Sequence, residues 1–150
     1  MTRAFSVAHL LTGLVILGLT GCGGGSKPPS TLVPVTGVVK MDGKPSPFAS
    51  VTYVAEGLKG GLGAVGFTDE EGKYELKWRG QEPGIQPGKY RVVISRIAMK
   101  DGTPVPRDKS AADVGAVETM PRRYSDYDVS ELYLEVPAAG MTKDFELKSK

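Results

Sequence analysis

The run Lys73-Tyr-Glu-Leu-Lys-Trp78 sets Tyr74, Leu76 and Trp78 on one side and Lys73, Glu75 and Lys77 on the other. A period of two suits a half-buried strand, because a helix would scatter those apolar residues around its circumference. The same alternation recurs along the chain. Val35, Gly37, Val39 and Met41 share one face before an Asp42-Gly43 turn, and Ala49, Val51, Tyr53 and Ala55 share another. A glycine-rich stretch from Gly57 to Gly66 runs into a short strand over 64–68, and a turn at Asp69 to Gly72 precedes the Lys73–Trp78 run. Pro87-Gly88 opens a strand with Tyr90, Val92 and Ile94 inward against Arg91, Val93 and Ser95 outward. Leu132, Leu134 and Val136 alternate with Glu131, Tyr133 and Glu135, and Phe145 with Leu147 follow the Ala139-Gly140 turn. Seven short strands with turn residues between them, and no long helical pattern, predict an all-β fold: a seven-stranded, immunoglobulin-like β-sandwich over residues 35–148.

Such a body must hold itself together by packing. The single cysteine, Cys22, leaves no partner for a disulfide. The single histidine is His9, so the chain beyond it has no Ser-His-Asp or Cys-His chemistry, no usual zinc site and no imidazole base. Carboxylate or tyrosine chemistry is the one enzymatic route this leaves open; no cofactor, metal or catalytic residue is expected, and the chain reads as a non-enzyme. The balance of charge is nearly even, 19 Lys plus Arg against 17 Asp plus Glu, without the basic face that nucleic acid requires.

The lone cysteine sits in Leu19-Thr20-Gly21-Cys22, after one positive charge at Arg3 and an oily run from Ala4 to Leu19. That run is shorter than the roughly 20 apolar residues needed to span a bilayer, and its layout is that of a secretory signal. Its end resembles the bacterial lipobox. The resemblance implies a signal peptide over residues 1–21, cleavage after Gly21 and a diacylglyceryl group on the Cys22 sulfur. Removal of residues 1–21 takes away Arg3 and changes the formal net charge from +2 to +1. Residues 22–34, with Gly23 to Gly25, Ser26 and Pro28, Pro29 and Pro34, read as the lipidated cysteine followed by a flexible tether. Several acyl chains on one residue give stable anchoring, at about 0.8 kcal/mol per buried CH₂. The expected location is therefore outside the cytoplasm, anchored to the inner or the outer membrane of a bacterium, with the membrane itself as one partner.

Residues 99–130 carry no dependable strand, and a loop of that length in a compact domain is usually functional or disordered. Within it, Arg122, Arg123, Tyr124 and Tyr127 put aromatics beside both charge signs, with Asp126 and Asp128 adjacent, and so form the expected interaction surface for an envelope protein or polysaccharide. The opposing expectation is that Tyr124 packs on the body while the charges face water. Ser110 to Asp113 suits one capped helical turn that Gly115 would weaken. Asp69, Glu70 and Glu71 lack the alternating ligand spacing of a calcium loop and read as a solvated turn.

The stretches "VTGVVKMDGKPSPFASVTYV", "GFTDEEGKYELKW" and "GIQPGKYRVVI" resemble the carboxypeptidase regulatory-like, transthyretin-like family of small β-sandwiches over about residues 35–97. The tail from Met120 is similar to that of planctomycete-type lipoproteins carrying this domain. The resemblance implies a structural or interaction module. The enzyme branch of the transthyretin-like group, the hydroxyisourate hydrolases, uses histidines and a Tyr-Arg-Gly-Ser ending, neither of which this chain has beyond His9. An alternative function is carbohydrate binding, for which Trp78 and the Tyr124/Tyr127 pair are the available aromatics, Trp78 being expected on the core side.

Overall fold

The computed structural model describes residues 31–56 and 62–150. The signal segment, Cys22, the tether up to Ser30 and the glycines from Gly57 to Gly61 lie outside the described residues. The protein is all-β. Its strands are β1 (Val35–Met41), β2 (Lys44–Pro45), β3 (Ser50–Ala55), β4 (Leu62–Phe67), β5 (Lys73–Glu75), β6 (Lys77–Trp78), β7 (Glu82–Pro83), β8 (Gly88–Ser95), β9 (Ile97–Ala98), β10 (Val117–Glu118), β11 (Tyr133–Val136), β12 (Met141–Thr142) and β13 (Phe145–Leu147). One helical turn, α1, covers Arg122–Ser125. Among the described residues no helix is long and apolar enough to cross a membrane.

Strands of three or more residues overlap the seven runs of alternating sequence, and six two-residue strands add to them. The larger sheet has the order β11-β8-β3-β4-β6-β7 and is antiparallel throughout. The second is built on β1, which pairs antiparallel with β2 and β5 on one side and parallel with β12 and β13 on the other. A small ribbon joins β9 and β10. Side chains from both larger sheets enter one core: Val35, Val39, Phe145 and Leu147 from the sheet around β1, and Val51, Tyr53, Val92, Ile94 and Val136 from the other. Each such side chain contributes about 1.5–3 kcal/mol by leaving water.

The run with the clearest alternation is divided between the sheets. β5 pairs with β1, whereas β6 pairs with β4, and Leu76 between them is fully buried. Its N–H bonds the Val35 carbonyl at 2.9 Å, and its carbonyl accepts from Gly84 N–H at 2.8 Å. The chain thus passes from one sheet to the other at a residue whose side chain both sheets need. Trp78 beyond it is half-buried against the core.

One turn and one strand position answer to glycine chemistry. Asp42 and Gly43 both take positive φ, 51° and 80°, as a two-residue hairpin requires. Gly37 has ordinary backbone, yet a Cβ there would lie 1.9 Å from the Lys143 carbonyl oxygen. The segment between β12 and β13 crosses over β1 at this point, with Lys143 N–H bonded to the Thr36 carbonyl at 2.7 Å. Tyr74 fills the remaining space. Its hydroxyl donates to the same Lys143 carbonyl at 2.7 Å and accepts from the Tyr53 hydroxyl at 3.2 Å. Tyr90 donates its hydroxyl to the Gln86 carbonyl at 2.8 Å. Burial pushes the Tyr53 phenol up to about 12 and raises that of Tyr74 further, since both would lose hydration on ionising.

Candidate functional site

Residues 99–130 are more ordered by contacts than their sequence suggests. Arg96 holds the near end, donating from Nε to the Pro47 carbonyl and from Nη2 to the Gly102 carbonyl, each at 2.8 Å. The Glu118 carboxylate holds the far end by accepting the N–H groups of Arg96 and Met120 at 2.9 and 2.8 Å. Between these staples, Ser110 Oγ accepts the Asp113 N–H at 3.2 Å. The capped turn forms there, and Gly115, at φ 63°, ends it.

The four residues of the expected interaction surface point in different directions. Tyr124 is buried in the core, and its hydroxyl accepts the Lys148 N–H at 3.4 Å. Arg123 lies over the Tyr124 ring at 4.9 Å and donates to the Lys148 carbonyl, so this pair seals the body beside β13. Arg122 is exposed and bonded to Asp126, one helical turn on. That bond lowers the Asp126 carboxyl below its usual range and raises the Arg122 guanidinium. Tyr127 belongs to a different group. The Arg91 guanidinium stands 4.9 Å from the Tyr127 ring and 4.7 Å from that of Tyr133, and donates to the Tyr127 carbonyl. Sequence reading missed Arg91 and Tyr133. Both occupy outward positions of alternating strands, but only the β8–β11 register sets them opposite each other.

Asp69 serves its own turn, accepting the N–H groups of Glu71 and Lys73 at 3.0 and 2.8 Å. Beside it opens a trough of about 790 Å³. It follows the line where the chain changes sheets, so its walls are the outward faces of β1 and β5 on one side and of β4 and β6 on the other. Pairing sets Thr36 opposite Glu75, Val38 opposite Lys73 and Val65 opposite Lys77. Gly66 brings the walls together, since a Cβ there would meet the Glu75 carbonyl oxygen at 2.6 Å. Phe67 stands at the edge with 70 % of its surface exposed. Among the described residues the two salt bridges are Lys40–Glu146 and Arg122–Asp126, so Lys73, Lys77 and Glu75 are not held in ion pairs. Asp144, also in the wall, accepts the Val38 N–H at 2.9 Å. A groove with one apolar plate and several donors and acceptors can bind a ligand of mixed character.

Large apolar side chains gather at one end of the body. β1 runs from the Val33–Ile85 bridge toward Met41, and the strand directions place Phe48, Phe67 and Ile97 at the end where β1 finishes. These are 47 %, 70 % and 46 % exposed. Phe48 takes φ 57°, an uncommon conformation for a bulky residue.

No family model matches the chain, and neither the curated proteins nor the solved structures contain a match.

Proposed function

We propose that this protein is a lipid-anchored, non-enzymatic module of a bacterial cell envelope, which acts by holding a partner at the surface of a seven-stranded β-sandwich. The observation that carries this reading is the Leu19-Thr20-Gly21-Cys22 stretch, placed after an oily segment, before a Gly/Ser/Pro tether and ahead of an all-β body. Val33, at the end of β1 where the tether would join, lies away from Phe48, Phe67 and Ile97. The sandwich is supported by a core shared between two sheets and by the Tyr90 hydroxyl bond to a backbone carbonyl four residues upstream, a device found in such folds. The motifs of carboxypeptidase regulatory-like domains and the tail of planctomycete-type lipoproteins favour a domain of that kind. The absence of histidine beyond residue 9 favours binding over catalysis.

Feeding cells an alkyne fatty acid tests the anchor. The wild-type chain is expected to take up label and sediment with membranes, and Cys22→Ala to lose both properties. Label retained on Cys22→Ala would defeat the proposal.

A further inference from the structure

We propose that the trough along β4, β5 and β6 is a binding site for a neutral glycan. This rests on the reading of the protein as an interaction module and names the ligand class that its surface recognises. The trough's volume, about 790 Å³, falls in the range of small-molecule and oligomer sites. Phe67 presents a ring with 70 % of its surface in solvent, although Gly66 and Thr68 on either side of it are buried. The fold gains nothing from that exposure. An aromatic plate of this kind matches the C–H face of a sugar ring.

The polar lining narrows the class further. Glu75 offers an acceptor, Lys73 and Lys77 offer donors, and Thr36, facing Glu75 across the pair, offers a hydroxyl that does both. None of the three charged groups is held in an ion pair among the described residues. The two lysines are offset by carboxylates, and those of Asp69 and Asp144 already accept backbone N–H groups. The wall therefore has no large field of either sign to select an anion or a cation. Hydroxyl groups, which donate and accept at one atom, fit a lining of mixed polarity. A purely apolar ligand would strand these polar groups without partners.

The test uses the full-length chain and four neutral probes: cellohexaose, laminarihexaose, mannohexaose and chitohexaose, each titrated by calorimetry. Binding of at least one is expected, with affinity falling tenfold or more in Phe67→Ala and severalfold in Glu75→Gln. Val129→Ala, at an exposed apolar residue outside the trough, should leave the affinity unchanged. Circular dichroism of Phe67→Ala checks that the body remains folded. No binding of any probe at millimolar concentration, or equal binding by wild type and Phe67→Ala, overturns the proposal. Photo-crosslinking in cells from benzoylphenylalanine at position 67 separates this failure from that of the wider reading. Protein adducts there, without glycan binding, would discard the glycan and keep the interaction module; absence of both would discard both.

Discussion

Replacing Gly37 with alanine should damage this protein far more than the same change at Gly43 in the β1–β2 turn. The added Cβ would lie 1.9 Å from the Lys143 carbonyl oxygen and 2.5 Å from its carbon, where ordinary contact begins at 3.4 Å. The crossing segment must then retreat by about 1.5 Å. That movement breaks the Lys143 N–H bond to Thr36 and takes away the acceptor of the Tyr74 hydroxyl, both 2.7 Å long. Each lost bond costs about 1 kcal/mol, and a buried hydroxyl left without its acceptor costs about 1–2 kcal/mol more. The total is about 3–4 kcal/mol, which lowers the melting temperature by about 12–16 °C at about 4 °C per kcal/mol for a domain of this size. Gly43→Ala provides the contrast. Its φ is 80° but nothing lies within 4 Å of the new Cβ, so only the left-handed backbone opposes it, at about 1 kcal/mol. Thermal unfolding followed by circular dichroism, with urea titrations read from Trp78 fluorescence, ranks the two variants. Equal melting temperatures would refute the account of the crossing.

Two further outcomes follow from the core and from α1. The Tyr53 phenol ionises near 10 when unfolded and at about 12 when folded. The unfolded chain therefore loses its proton first, and stability is full below pH 10 and declines as pH rises toward 12, by about 2–3 kcal/mol for this group. Urea unfolding between pH 8 and 11.5 should show a shallower decline in Tyr53→Phe, and matching slopes would contradict the burial argument. Tyr124→Ala, which empties a core position, should cost about 3–5 kcal/mol, whereas Arg122→Ala, at an exposed ion pair, should cost less than about 1 kcal/mol. The reverse order in thermal melts would mean that α1 is a free surface and not a plug.

What could be read along the chain was what depends on neighbours. Val35 to Met41, Tyr90 to Ile94 and the Asp42-Gly43 hairpin follow from alternation and turn chemistry alone, and they lie where expected. What depends on pairing between distant residues was hidden. The parallel contacts of β1 with β12 and β13 join residues about a hundred positions apart, and no local signal marks them. Leu76 looked like the middle of one strand because its environment, two sheets at once, is a tertiary property. Gly37 is one of four residues sharing a face; only the path of Lys143 explains why it is glycine. Tyr124, expected either at an interaction surface or packed on the body, is buried against its own chain. The trough escaped notice because its walls come from four strands whose outward residues are individually ordinary.

The pairing of β1 with residues 141–147 also governs the order in which the body can be completed. A ribosome delivers β1 more than a hundred residues before β12 and β13, so one side of this strand stays open until those two strands have emerged. Folding is accordingly expected to be late and slow, and a polypeptide so built remains threadable through a narrow channel for most of its synthesis.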